Sequence, residues 1–174
     1  MRFCSDCGSP VRFGPVDGDP LPRYVCTQCQ TIHYQNPKVV CGCLATWEDR
    51  ILFCKRAIEP RYGYWTLPAG FMDNGETTAE GAQRETQEEA NATVTIEGLY
   101  CVFNIPQISQ IYMMFRGALV DGLHSPGAES LETVLWRDTE IPWEQLAFPA
   151  VKRTLKFYLA DRQQQEFPVH VQDL

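Results

Sequence analysis

Three carboxylates on one short segment are the residues best placed to do chemistry in this chain. Glu85, Glu88 and Glu89 stand at i, i+3 and i+4, so on a helix they share one face, within about 100° of arc. Like charges this close repel each other unless positive charge lies between them. Hard cations such as Mg²⁺ or Mn²⁺ take oxygen ligands, so the spacing indicates a divalent-metal site.

The residues before these carboxylates predict where their helix begins. Thr77-Thr78-Ala79-Glu80 has the Ser/Thr-x-x-Glu form of a capping box, which predicts a helix from about Thr77 to Ala90. Arg84 and the three glutamates would also suit a solvated surface helix, because Glu and Arg are good helix formers. The cluster alone therefore leaves both interpretations open, and longer spacings must decide between them.

A longer pattern around the cluster resembles the box of the Nudix hydrolase family, G-x5-E-x7-R-E-U-x-E-E-x-G-U, where U is a bulky apolar residue. The positions that match are Gly70, Glu76, Arg84, Glu85, Glu88 and Glu89. The lead-in Trp65–Ala69 also resembles the family's W-x-L-P-G approach. Thr86, Ala90 and Asn91 depart from the pattern, and the loss of glycine at Ala90 removes the residue that would normally supply a left-handed helix cap.

The resemblance implies an α/β fold, a Nudix α/β/α sandwich with a mixed sheet, and a metal-dependent hydrolase. Carried over by position, the metal ligands would be the carboxylates of Glu85, Glu88 and Glu89, with a backbone carbonyl at Ala69 or Gly70. Mg²⁺ or Mn²⁺ would be the catalytic ion. Without metal, we expect mutual repulsion to raise the pKa of at least one of the carboxylates.

Further catalytic roles follow from the same resemblance. Arg84 would orient the carboxylates through charge-assisted hydrogen bonds, and Glu76 would brace the loop against the helix. Nudix enzymes often recruit another carboxylate from a late loop as base or ligand. Glu129 and Glu132 are the two choices, and we favour Glu129; a solvated loop charge is the alternative for either.

Substrate contacts are sought next to the box. Arg56 and Arg61 lie just before it and could hold the distal phosphate, although surface charge explains Arg61 equally well. Tyr62, Tyr64 and Phe71 could stack on a base or a flavin ring, but aromatic residues in such positions also belong to hydrophobic cores.

Four of the eight cysteines indicate a second metal. Cys4-x-x-Cys7 and Cys26-x-x-Cys29 are spaced as in a structural Zn²⁺ site, where four thiolates close a tetrahedron with no open position. Disulfides or a redox pair are the alternatives. The other cysteines sit in apolar runs and are predicted to be buried hydrophobic residues: Cys41, Cys43, Cys54 and Cys101.

Two domains are predicted, a zinc ribbon at residues 1–36 and a Nudix hydrolase domain at 37–174. The net charge of −7 and the ribbon's balanced charges argue against nucleic-acid binding. No apolar run is long enough to span a membrane and the start lacks a signal-peptide pattern, so we expect a cytoplasmic protein. We also expect a homodimer, with the ribbon as a dimer contact or as a rim of the substrate pocket.

The apolar patterning predicts the elements that must carry these residues. Strands are expected at 38–46, 51–56, 94–103, 110–119 and 133–137, with a loop at 121–132. Phe148-Pro149 opens a last helix whose apolar face packs on the sheet. Residues 163–165 and the tail to Leu174 are predicted to be solvated.

The substrate is the point on which the sequence says least. A zinc ribbon ahead of a Nudix domain resembles the NADH pyrophosphatases, but their S-Q-P-W-P-F-P motif is absent, and residues 104–112 read N-I-P-Q-I-S-Q-I-Y. That stretch and residues 126–132 look closer to the branch containing the plant chloroplast FAD/ADP-ribose pyrophosphatase. FAD or ADP-ribose is therefore favoured as the small-molecule substrate. NADH is the alternative, and a non-catalytic nucleotide-binding regulator is the alternative from a different class.

Overall fold

The computed structural model describes residues 1–174, and the chain separates into two compact units, Met1–Asn36 and Pro37–Leu174. The first unit is an antiparallel sheet in the order β1-β2-β3. Its strands are β1 (Val11–Val16), β2 (Asp19–Cys26) and β3 (Ile32–His33). Gly18 turns the chain between β1 and β2 at φ 81°, a conformation that glycine adopts without steric cost.

The second unit is built on one large mixed sheet. Its strands are β4 (Lys38–Trp47), β5 (Arg50–Arg56), β6 (Trp65–Thr66), β7 (Ala69–Phe71), β8 (Val94–Ile105), β9 (Gln110–Leu119), β10 (Ser130–Trp136) and β11 (His170–Asp173). The main path runs β10-β5-β4-β9-β8-β11, with β6 beside β5 and β7 beside β4. The pairs β4–β9 and β8–β11 are parallel and the others are antiparallel.

Two helices cover the two faces of this sheet. They are α1 (Thr78–Ala90) and α2 (Pro149–Gln164), and three short 3-10 turns lie at Pro106–Ile108, Asp138–Glu140 and Trp143–Gln145. Neither helix combines the length and the apolar character that crossing a bilayer requires. The predicted α/β/α sandwich with a mixed sheet is confirmed.

Strand β4 shows why the helices occupy opposite faces. Its central residues are apolar almost without interruption, as expected of a strand buried on both sides. Leu44 packs in the core that includes Val151 and Leu155 of α2. Cys43, one position away and on the other face, packs in the core that includes Ala82 and Ala90 of α1.

The C-terminal tail corrects one prediction. Residues 170–173 were expected to be solvated, but they form β11 beside β8, with His170 opposite Cys101. The His170 imidazole bonds to Asp161 Oδ2 at 2.7 Å and stacks on the Phe157 ring at 3.9 Å. These partners lie on α2, so local patterning did not reveal them.

Smaller differences concern element boundaries. Strand β10 begins at Ser130, inside the predicted loop, because it pairs with β5 from Arg56 onward. Strand β6 lies just before the box and β7 spans its first residue, Gly70. Both strands are too short to show a periodic apolar pattern in the sequence. The remaining predicted strands and the last helix agree with the structure to within about two residues.

The N-terminal cap of α1 generates a first testable prediction. The Glu80 backbone N–H donates to Thr77 Oγ1 at 3.2 Å, and the Thr77 N–H donates to Glu80 Oε2 at 2.7 Å, which is the predicted capping box. Thr77→Ala removes one acceptor and should lower the free energy of unfolding by ~1 kcal/mol. Urea denaturation measures the change, with Thr78→Ala as the matched control. An equal loss in both variants would contradict a role for the cap.

Candidate active site

The glutamates of α1 lie at the edge of a cavity, and two of them are buried. Glu85 and Glu89 expose only 8% and 5% of their surface, whereas Glu88 is largely exposed. The backbone N–H of Ala69 donates to Glu89 Oε2 at 3.3 Å. Burying an ionised carboxylate away from water costs free energy, and a bound cation on this face of the helix would offset that cost.

Burial changes the proton affinity of these groups. Burial, with a smaller contribution from the neighbouring Glu85 carboxylate, raises the pKa of Glu89 to about 8. Burial also raises the pKa of Glu85, against the opposing effect of Arg84. The predicted rise in carboxylate pKa is confirmed. Repulsion between the carboxylates was expected to be its main cause, but loss of hydration on burial contributes more.

Arg84 joins the carboxylates to the loop before the helix. Its guanidinium donates to both carboxylate oxygens of Glu76 at 2.8 and 3.0 Å, to Glu85 Oε1 at 2.8 Å and to Glu88 Oε2 at 3.1 Å. It also donates to the Phe71 carbonyl at 3.0 Å. The ion pair lowers the pKa of Glu76 to about 2. The arrangement that the resemblance implied for Arg84 and Glu76 is therefore present geometrically.

Gly70 lets the chain approach the carboxylates closely. It lies on β7 opposite Cys41 of β4, and a Cβ at this position would overlap the Glu85 carboxylate. The backbone of Ala69 and Gly70 thus lies against Glu85 and Glu89, as required if a carbonyl shares a metal with them. This cradle and its all-oxygen donor set fit Mg²⁺ or Mn²⁺.

The end of α1 is pinned to the loop that carries Glu129. Asn91 caps the helix in the left-handed conformation at φ 46°, ψ 35°, which asparagine tolerates better than most residues. Its Nδ2 donates to the carbonyls of Ser125 and Pro126 at 3.2 and 3.1 Å. The Gly127 N–H donates to the Glu89 carbonyl at 3.0 Å, and a Cβ on Gly127 would overlap the helix. Asn91 therefore replaces the capping glycine of the family pattern.

This loop brings Glu129, and not Glu132, to the cavity. Glu129 lines the cavity with the three glutamates, and its carbonyl accepts a hydrogen bond from the Ala57 N–H at 2.8 Å. Glu132 instead pairs with Lys55 at 3.6 Å on the sheet. The position of Glu129 suits the role predicted for it, which stays a prediction.

The cavity measures about 1030 Å³, and only some of the residues predicted to bind substrate line it. Arg56 and Phe71 line it. Arg61, Tyr62 and Tyr64 do not; the Arg61 guanidinium lies 5.5 Å from the centre of the Tyr64 ring instead. Residues 58–60 of the same loop do line the cavity. The chain then turns, with Arg61 at φ 67° and Gly63 at φ 77°, and the local sequence does not indicate which residues of this turn face the cavity.

Sequence reasoning missed several lining residues. Met114 comes from β9, Phe148 and Val151 come from the start of α2, and Leu174 follows β11. Nothing in their own types marks them, because apolar residues of this kind also fill cores. For Asn91, the signal was available: an asparagine directly after a helical pattern often adopts the left-handed cap.

The four predicted zinc cysteines converge in the first unit. Their sulfur atoms all lie within 4.8 Å of one another, with Cys4–Cys29 at 3.7 Å, Cys7–Cys26 at 3.4 Å and Cys7–Cys29 at 3.5 Å. A tetrahedron of Zn–S bonds of ~2.3 Å requires sulfur separations of about 3.8 Å, so the set fits Zn²⁺. Cys41, Cys43, Cys54 and Cys101 are buried, as predicted, and all eight cysteines are unpaired.

Comparison with known families identifies both units. The family described as "Nudix N-terminal", a zinc ribbon, matches residues 2–35, and the family described as "NUDIX domain" matches residues 36–160. The crystal structure of a NUDIX hydrolase from Nitrosomonas europaea is similar to this chain, with 51% identity, a TM-score of 0.94 and full coverage of both chains.

Curated relatives carry names of particular activities. One named NAD-capped RNA hydrolase NudC, from Photobacterium profundum, is 29% identical over 82% of this chain and 52% of its own length. One named ADP-ribose pyrophosphatase, from Methanocaldococcus jannaschii, is 33% identical over 42% of this chain and 43% of its own length. The chain spans about half the length of these relatives.

The cysteine geometry generates the second prediction. Protein purified without chelator should contain one zinc per chain, and Cys26→Ser should abolish it, because three thiolates cannot close the tetrahedron. Loss of zinc should unfold the 1–36 unit, whose short chain has little core of its own. Elemental analysis and proteolysis report the two effects. Cys41→Ala is the control and should retain zinc; zinc-free protein with an intact ribbon would refute the assignment.

Proposed function

This chain belongs to the Nudix hydrolase family, and from that membership we propose that it hydrolyses the pyrophosphate bond of a nucleoside diphosphate linked to another moiety, FAD or ADP-ribose, releasing AMP. The observation that carries the proposal is the position of the carboxylates. Glu85, Glu88, Glu89 and Glu129 all line one cavity of about 1030 Å³, a volume that accommodates a dinucleotide-sized ligand.

The carboxylates would hold divalent metal at the pyrophosphate. Bound Mg²⁺ or Mn²⁺ would supply positive charge to the phosphates and lower the pKa of a water. Glu85, Glu88 and Glu89, with the carbonyl of Ala69 or Gly70, are the residues that would bind it. Arg84 keeps Glu85 and Glu88 oriented through its hydrogen bonds, so that little reorganisation is needed when the substrate binds.

Two further residues would act on the substrate and the water. Arg56 lines the cavity, and its Nε donates to the Pro60 carbonyl at 2.8 Å, which holds the guanidinium in place to bind a phosphate. Glu129 is the carboxylate that would accept a proton from the attacking water or add a metal ligand. Attack at one phosphorus would release AMP together with FMN or ribose 5-phosphate.

The choice of FAD or ADP-ribose over NADH rests on the segment after the box. The metal site contacts only the pyrophosphate, so discrimination between these substrates must come from the rest of the cavity. Ile105, Gln107 and Ile108, from residues 104–112, line the cavity. This segment lacks the motif that marks NADH pyrophosphatases. A relative named ADP-ribose pyrophosphatase supports the same choice.

A second candidate is hydrolysis of NADH or of an NAD cap on RNA. It is favoured by the relatives named NAD-capped RNA hydrolase, one of which matches 82% of this chain. The balanced charge of the 1–36 segment and the net charge of −7 weigh against an RNA substrate, because phosphate binding is supplied largely by basic residues. A homodimer and a cytoplasmic location remain predictions.

The third prediction tests the carboxylates. Glu85→Gln or Glu89→Gln should keep the fold and lower kcat by roughly 10²-fold or more, because each removes charge that acts in the transition state. Glu80→Gln is the matched control, on the same helix but off the cluster, and glutamine keeps its capping bond. Steady-state assays with Mg²⁺ or Mn²⁺ measure the effect. If Glu80→Gln reduces kcat as much, the assigned metal face is wrong.

The fourth prediction tests substrate choice. The value of kcat/KM for FAD or ADP-ribose should exceed that for NADH by at least about tenfold, equivalent to ~1.4 kcal/mol of differential transition-state binding. Nucleoside triphosphates should be poor substrates. One assay series on all four, under a single metal condition, measures the ratios. NADH as the best substrate would overturn the choice and leave the family assignment standing.

A further inference from the structure

We propose that Leu174, held at the cavity by strand β11, forms an apolar wall that packs against a planar heteroaromatic ring of the substrate and thereby sets its affinity. The proposal rests on the proposed function, because the cavity is taken to be the substrate site. Leu174 is half-buried, packs against the core of the α2 face and lines the cavity.

The cavity has one part lined by charged side chains and another part lined by uncharged ones. Every charged residue of the lining comes from residues 56–89 or is Glu129. The parts contributed by residues 105–114, 148–151 and 174 have no charged side chain, and their polar groups are Gln107, Gln110 and the Tyr112 hydroxyl. A ring system buries apolar faces and keeps a few polar edge atoms, which is the chemistry that this part of the cavity matches.

Sheet geometry places Leu174 far from the carboxylates. Strands β7, β4, β9, β8 and β11 lie side by side at this level of the sheet. Four spacings of ~4.8 Å put β11 about 19 Å from β7, where Gly70 contacts Glu85. A ligand whose pyrophosphate lies at the carboxylates would therefore meet Leu174 only with its distal end, which is where the ring of a dinucleotide lies.

Hydrogen bonds hold Leu174 and strand β11 in place, so the apolar wall can contribute to substrate affinity. The Leu174 N–H donates to the Asn104 carbonyl at 2.9 Å, and Asn104 Nδ2 donates to Asp173 Oδ1 at 2.9 Å. At the other end of β11, His170 bonds to Asp161, which also accepts a hydrogen bond from the Tyr100 hydroxyl at 2.6 Å. The strand is thus fastened both to β8 and to α2, next to residues 104–112.

The experiment measures KM and kcat of Leu174→Ala for FAD and for ADP-ribose. Removing the side chain beyond Cβ should raise KM about tenfold and change kcat less than twofold, because the lost contacts are apolar and remote from the reacting phosphorus. Leu174→Met should restore KM to within about twofold. The matched control is Val171→Ala, on strand β11 three residues before Leu174 and 68% exposed, and it should leave both constants unchanged.

The two substrates distinguish the source of the ring. A KM increase for FAD alone identifies the flavin as the ring at the wall, and an equal increase for both identifies the shared adenine; both results support the proposal. Unchanged KM values, or a fall in kcat matched by a lower melting temperature, would overturn it. If the unaltered protein hydrolyses neither compound, the proposed function fails, and calorimetric Kd values of the same variants for FAD and ADP-ribose decide about the wall.

Discussion

The crowding of carboxylates around Arg84 is the interaction on which the site depends. One guanidinium binds Glu76, Glu85 and Glu88 and also the Phe71 carbonyl. It compensates part of the negative charge, but Glu89 is buried without an ion-pair partner, and burial raises its pKa to about 8. A buried carboxyl group that holds its proton this tightly can exchange the proton for a bound cation, and a dense anion such as pyrophosphate would bind beside these carboxylates only together with cations.

The two ends of helix α1 connect the carboxylates to the loops beside the cavity. At its N-terminus, Thr77 caps the helix, and Glu76 connects the preceding loop to Arg84. At its C-terminus, Asn91 binds the carbonyls of the loop that carries Glu129, and Gly127 packs against the helix backbone. The departure from the family pattern at Asn91 therefore preserves the left-handed cap and adds two hydrogen bonds to the loop.

The two units of the chain are stabilised by different means. The 37–174 unit has a core on each face of its sheet. Its last strand, β11, lies at one edge of the sheet and is followed by Leu174, which lines the cavity. The 1–36 unit has three short strands and a cysteine cluster whose geometry fits Zn²⁺. For so short a chain, metal coordination can replace a hydrophobic core as the main source of stability.

The sequence alone determined the features that depend on local spacing. These include the capped helix with Glu85, Glu88 and Glu89, the Cys-x-x-Cys pairs and most strands of the sheet, because their signals repeat within a few residues. Only the tertiary structure decided that Glu129 and not Glu132 reaches the cavity, that Arg61 and Tyr64 stay outside it, and that the tail to Leu174 pairs with β8. Those outcomes depend on loop direction and on partners distant in the chain, for which residue type and periodicity carry no signal.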